Sequence, residues 1–345
     1  MSVTLKDVAK LAQVSPIVVS RVLHNKAEGV RVSDATAERV RQAAAELNYK
    51  VNIWARNFRA QQTMMLGVLN GMGFDRPRFN DGPRYFATLM DGIVDGAFRH
   101  SYSVALCPQL LGDDPSEAVT DGRFDGLVWY SITPTDANRA TLAACRCPVV
   151  IVHALSGQYG GKHPTVICDN FQGIGLGVDH LYELGHRKIA FMIEGDAMNV
   201  ESEARLAAFK SHMARHDLPP AETDIIDVRK DREALKSYLS NKPPHTALMV
   251  HADGLAADII RFAPKYGIRV PEDLSVIGFD STEFCDELKP ALTSISQPLF
   301  EMGNRATDLL MKAISEPNID PVELVLPCGL DVRGSTGPAR QTELS

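Results

Sequence analysis

The chain has 345 residues, 45% of them hydrophobic, and a net charge of −7 at pH 7. It is too long for one compact domain of typical size and apolar enough to bury sizeable cores, so two or three domains are expected. No run approaches membrane-spanning length, the start MSVTLKDVAK lacks the apolar stretch of a signal peptide, and the six cysteines form no CxxC pair. These features argue against a membrane protein, an exported protein and a zinc or disulfide scaffold, and a cytoplasmic location with reduced thiols is expected.

The first fifty residues predict three helices. Thr4 caps the first, with Asp7 three residues on, and Leu5, Val8, Leu11 and Ala12 recur at helical spacing to form one apolar face. Gln13 and Val14 make a turn. Ser15 caps a second helix beginning at Pro16, where a missing N–H costs nothing; Val19, Val22 and Leu23 turn inward, leaving Ile17, Val18, Ser20 and Arg21 outside. SDATAERVRQAAAELNY supplies the third helix. Helix, tight turn, helix is the layout of a helix-turn-helix DNA reader. An outward face bearing Ile17 and Val18 suits a major groove, where apolar atoms meet thymine methyls and Arg21 can give two hydrogen bonds to guanine. For the pattern alone, a small three-helix bundle with a solvated arginine is the alternative. Charge favours the DNA reader: residues 1–62 hold four lysines and six arginines against five acids, a surplus of five, which leaves −12 on the remainder.

VTLKDVAKLAQVSPIVVSRVL, followed by VSDATAERV and ELNY, resembles the lactose-repressor (LacI/GalR) family of bacterial transcription regulators. The resemblance covers nearly the whole chain and implies an all-α helix-turn-helix head at 1–50, a hinge helix and linker at 51–62, and an α/β effector-binding and dimerisation domain at 63–345. That domain would have two lobes with parallel sheets, similar to periplasmic sugar-binding proteins: an N-lobe of about 63–168 and 297–325 and a C-lobe of about 169–296 and 326–345. VNIWARNFR matches the family's hinge, in which paired helices of a dimer push a leucine into the central base step from the minor groove; here Phe58 holds that place, with Asn52, Ala55 and Arg56 beside it. So short a helix should fold only when a partner hinge and DNA bury it; the alternative is that Trp54 and Phe58, four apart, pack on the regulatory domain. The implied DNA contacts are Ser15, Pro16, Ile17, Val18, Ser20, Arg21 and His24 in the head, Lys26 and Arg31 in the connection after it, and the four hinge residues. Ile17 and Val18 depart from the family's small polar pair, Val51 replaces the hinge proline, and the connection HNKAEGVRVS is longer by about three residues. No relative's operator sequence therefore carries over.

From residue 64 the pattern changes to short β-rich runs separated by helical stretches, namely MMLGVL, SVALC, GLVWY, PVVIV, TVIC, KIAFMI, ALMV and LSVIGF. Such alternation builds parallel sheets with helices on both faces. DNFQGIGLGVDHLYELGHRKIAFMI reads as a helix ended by Gly185 and then a buried strand. The resemblance adds three passages of the chain between lobes, near Cys168, Gln297 and Val325, and a ligand in the cleft at the strands' carboxyl ends. It implies Asp280 as an acceptor for sugar hydroxyls or a ring nitrogen, Arg205 as its counterpart, and Tyr85 and Phe86 as an aromatic pair stacking on the ligand. Gln297 and Asp253 would lie at the cleft edge, and Ala252 departs from an asparagine common in relatives. The structural alternatives are a turn cap for Asp280, a same-helix pairing of Arg205 with Glu201 or Glu203, and a core role for the aromatics.

Other motifs fail. GIGLGVDH spaces its glycines GxGxG rather than GxGxxG, GxSxG is absent, and His180 and His186 are six apart, so no catalytic site, cofactor or metal is expected. The expected function is that of a homodimeric transcriptional regulator, a repressor, that binds a pseudo-palindromic double-stranded operator. A small polar effector, a sugar first, would alter lobe closure and with it the distance between hinges. A cytoplasmic sugar-binding protein or enzyme with a structural amino-terminal bundle is the alternative from another class.

Overall fold

The computed structural model describes residues 3–24, 32–50, 62–70, 84–107, 119–130, 134–194, 200–228, 233–241, 243–316 and 320–340. It comprises two compact units, Met1–Thr63 and Met64–Ser345.

The first unit holds α1 (Leu5–Leu11), α2 (Pro16–His24) and α3 (Asp34–Glu46). Asp7 Oδ2 accepts from the Thr4 N–H (2.9 Å) and hydroxyl (2.7 Å), which fixes the start of α1. Gln13 adopts a positive φ of 54° in the turn, and the Ser15 hydroxyl accepts from the Val18 N–H (3.4 Å) to open α2. Ser33 Oγ does the same for Thr36 N–H at the head of α3 (3.3 Å). Val8, Ala9, Ala12, Val19, Val40 and Ala43 form the core. Leu11, expected on the buried face of α1, is 43% exposed, and the smaller Ala9 is buried instead. A helix of seven residues spans two turns, so its buried stripe has room for Val8, Ala9 and Ala12 beneath α2 and α3 but not for a fourth, larger side chain.

In the second unit the chain runs β1 (Met65–Asn70), α4 (Tyr85–Arg99), β2 (Ser103–Cys107), β3 (Gly126–Tyr130), α5 (Asp136–Ala144), β4 (Val149–Val152), β5 (Thr165–Cys168) and α6 (Asn170–Glu183). It continues through β6 (Ile189–Ile193), α7 (Val200–Arg215), β7 (Ile225–Asp227), α8 (Glu233–Ser240), β8 (Ala247–Val250), α9 (Asp253–Phe262), β9 (Ser275–Asp280) and α10 (Phe284–Glu287). Last come β10 (Thr293–Ser296), α11 (Leu299–Ser315), β11 (Glu323–Leu326) and β12 (Gly329–Asp331). Two six-stranded sheets result, in the orders β11-β5-β4-β3-β1-β2 and β12-β10-β9-β8-β6-β7. Among the described residues every pairing is parallel except β10 with β12, the α/β alternation legible in the sequence. β3, β4, β5, β6, β8 and β9 are buried along their whole length, as strands covered on both faces must be.

The chain passes between sheets three times: from β5 to α6 through Asp169, from β10 to α11 through Gln297 and Pro298, and from β11 to β12 through Pro327 and Cys328. The third passage lies just beyond Val325, which is itself still paired in β11 opposite Ile167. On the first sheet α11 lies against α4 at close range. A side chain at Gly92 would run into the Phe300 carbonyl oxygen, and one at Gly303 into that of Leu89, so the two glycines set the helix separation. Asn304 then bridges the pair, donating to Asp95 (2.8 Å) and accepting from Arg99 (2.5 Å).

Candidate DNA-reading helix and effector cleft

On α2 the sequence places its apolar residues on opposite sides, and the structure separates them. Val19 is fully buried while Ile17 is 74% exposed, with Ser15 and Pro16 exposed beside it and Val18, Ser20 and Arg21 half-buried. A branched alkyl group standing this far into solvent has no packing role within the unit. The side chain of His24, and all of Lys26, Arg31, Asn52, Ala55, Arg56 and Phe58, lie outside the described residues.

The strands' carboxyl ends bring the second group of predicted residues together. Arg205, on the inner face of α7, is buried, with its guanidinium 3.7 Å above the Phe279 ring. Its Nε donates to Asn170 Oδ1 (2.9 Å), Nη1 to the His251 carbonyl (2.5 Å) and Nη2 to Glu201 Oε2 (3.5 Å), while Asp280 Oδ1 lies 3.9 Å from Nη1. Asp280 ends β9 with φ at 129°, followed by Ser281 at 50°, two consecutive residues in a backbone region that glycine favours. Gln297 Nε2 donates to Asp280 Oδ1 (2.6 Å), and the Gln297 Oε1 is buried with no partner among the described residues.

Asp253 sits beneath this turn and is wholly buried. Its Oδ2 accepts from the Ser281 N–H (2.7 Å) and the Cys285 thiol (3.0 Å), and Oδ1 accepts from the Ser294 hydroxyl (2.6 Å). A side chain at Gly278 would strike Asp253 Oδ1, so the bare backbone of β9 is what admits the carboxylate. Asp253 thus braces the turn that carries Asp280 rather than lining the cleft edge where it was expected.

The other wall carries Tyr85, whose hydroxyl lies 2.6 Å from His153 Nε2. Phe86 does not share that surface: its ring packs on Tyr130 (centroids 5.1 Å apart) in the core. Adjacent residues on a helix point about 100° apart, so α4 presents one aromatic to the cleft and one to the sheet. His153, just past β4, also points Nδ1 at Glu201 Oε1 (3.7 Å), joining the two lobes. Glu201 Oε2 accepts from Asn170 Nδ2 (2.7 Å).

The electrostatics follow from this packing. Burial pushes Asp280 up to about 8, helped by the charge of Asp253 and opposed by Arg205 and Gln297. Burial also lifts Asp253 to about 6 against its hydrogen bonds from Ser294, Cys285 and Ser281. For Glu201, burial is outweighed by the hydrogen bond and charge of His153, the charge of Arg205 and the Asn170 amide, which hold it down at about 2. Burial and the Arg205 charge drive His251 down to about 3, consistent with its Nδ1 accepting from the Glu194 N–H (3.1 Å).

Glu201, His153, Asn170 and His251 were not among the expected site residues. The signal for His153 and His251 was position, each directly following a buried strand; for Glu201 it was the four-residue spacing to Arg205. Among the described residues no group of three or more His, Cys, Asp or Glu could hold a metal ion.

Comparison with known proteins places these two surfaces in context. Residues 4–52 match the model of bacterial regulatory proteins of the lacI family, and residues 178–336 that of a periplasmic binding protein-like domain. The chain is 30% identical over 350 residues to the HTH-type transcriptional repressor CytR of Escherichia coli (strain K12), covering 96% of each. It resembles the structure of the lac repressor dimer bound to operator and the anti-inducer ONPF (TM-score 0.80, 26% identity, 98% of this chain and 100% of that one). It also resembles a transcriptional regulator CelR–cellobiose complex (TM-score 0.70, 26% identity, 96% of this chain and 99% of that one). With a matched reader head, a matched binding domain and a relative aligned over nearly its full length, the chain belongs to the lacI family of bacterial regulatory proteins.

Proposed function

We propose that the protein is a homodimeric, cytoplasmic transcriptional repressor whose hold on a pseudo-palindromic operator is set by a small polar effector in the cleft. The observation that carries this reading is the joint presence, in one chain, of an outward-facing Ile17 on a helix-turn-helix and a buried arginine–aspartate cleft between two lobes. Ile17, Val18 and Arg21 meet base edges; Ser15, Pro16, Ser20 and His24 position α2; Lys26 and Arg31 meet phosphates; and Asn52, Ala55, Arg56 and Phe58 act at the operator centre. A sugar is the favoured effector class, supported by the likeness to a cellobiose complex. Tyr85, Arg205, Asp280 and Gln297 contact it, while Asp253 holds Asp280 in place. Effector binding changes lobe closure, and closure biases whether both heads of a dimer dock together.

The test is a gel shift of the full-length protein on the region upstream of its own gene across a salt series. Site-selective binding that weakens steeply as salt rises is expected, because each phosphate contact releases a counterion. No selective complex even at low salt would sink the proposal.

A further inference from the structure

Within the cleft read above as the effector site, and resting on that reading, Glu201 sets a constraint on what can bind. Arg205 is buried at the heart of the cleft, and a guanidinium usually takes carboxylate or phosphate groups through a pair of parallel N–H donors. Here each of its three nitrogens already faces a protein acceptor: Asn170 Oδ1, the His251 carbonyl and Glu201 Oε2, with Asp280 Oδ1 close to Nη1. Phe279 covers one face of the guanidinium plane. Glu201 is itself held from three sides, by Arg205, Asn170 and, across the cleft, His153. An incoming anion would have to displace this carboxylate and would lie beside it in a poorly screened space. One acceptor is left over, since Gln297 Oε1 is buried beside Asp280 without a partner among the described residues. A ligand that brings a hydroxyl or N–H donor satisfies that oxygen; one that brings only acceptors does not.

We infer that Glu201 is the specificity-determining residue of the cleft: facing the arginine nitrogen that Asn170 and the His251 carbonyl leave over, and placing a negative charge beside it, it makes the effector an uncharged, donor-rich molecule whose phosphorylated or carboxylated forms are rejected. His153 and Tyr85 extend the selection to the opposite lobe, since Glu201 is the residue through which that lobe's imidazole reaches α7.

The experiment uses the full chain and two anionic probes, inorganic phosphate and ribose 5-phosphate, at ionic strength matched with chloride. Thermal unfolding of the wild type should not respond saturably to either probe. Glu201→Gln keeps the size of the side chain but removes its charge, and should gain a saturable rise in Tm, roughly several degrees at a hundredfold excess over Kd. The gain should vanish in the double variant Glu201→Gln/Arg205→Gln. Saturable stabilisation of the wild type that Arg205→Gln removes would overturn the assignment, and so would a folded Glu201→Gln that gains nothing. If Glu201→Gln does not fold, Glu201→Ser carries the same arm. Operator binding measured on the same preparations separates the two levels: its absence in the wild type ends the regulator reading, whereas anion binding with operator binding intact ends only this one.

Discussion

At the scale of single residues, Arg21 and Asp280 make the sharpest demands. Arg21→Ala should lower operator affinity by about 1–3 kcal/mol and relax preference at one base pair. Gel shifts on the operator and its single-base variants check this, and an equal loss on every sequence would remove Arg21 from base reading. Asp280 is an acid that the fold favours in its protonated form. Its contribution to stability is complete below 3.8 and is lost as pH rises through about 8. Asp280→Asn, which cannot ionise, should therefore gain in Tm relative to the wild type as pH climbs across that window; a difference that stays constant with pH would contradict the burial argument. Arg205, Asp280 and Tyr85 were named from the resemblance to the family, and the structure brings Arg205 and Asp280 together on one wall and Tyr85 to the other. For Glu201 the local spacing announces only the pairing with Arg205; its partnership with His153 and Asn170 depends on bringing α7, the end of β4 and the start of α6 to one point, a long-range geometry that the spacing does not encode.

Among the elements, the strongly apolar runs were legible and the weak ones were not. GLVWY, PVVIV, TVIC, KIAFMI, ALMV and LSVIGF all became strands, since a continuous apolar run is what a strand covered on both faces requires. β10 reads TSIS, mixing hydroxyls with its one large apolar residue; β11 alternates in and out at the sheet edge; and β7 and β12 have three residues each. Their pairing is imposed by neighbours rather than by their own composition. The α4–α11 contact is of the same kind, because nothing in the sequence announces that Gly92 and Gly303 face one another. Gly303→Ala should destabilise the protein by about 1–3 kcal/mol despite its favourable helix propensity, since the added methyl meets the Leu89 carbonyl. Urea unfolding measures this, and a neutral or stabilising result would mean that the two helices separate freely.

For the molecule as a whole, charge is divided as unevenly as structure: the first 62 residues carry a surplus of five positive charges and the rest −12. An acidic body repels the duplex, so DNA contact and its steep salt dependence are expected to belong to that short basic segment. Among the described residues no helix is long and apolar enough to cross a membrane. The three passages at Asp169, Gln297–Pro298 and Pro327–Cys328 carry a consequence for how such a chain changes over generations. Neither lobe is a continuous stretch of sequence, so no single recombination event can exchange one lobe for that of a relative. Tyr85 and Glu201 stand on opposite sides of the first passage, so an exchange at Asp169 joins walls from two parents but leaves each lobe completed by a foreign return segment, α11–β11 or β12, whose packing must then be re-matched by substitution.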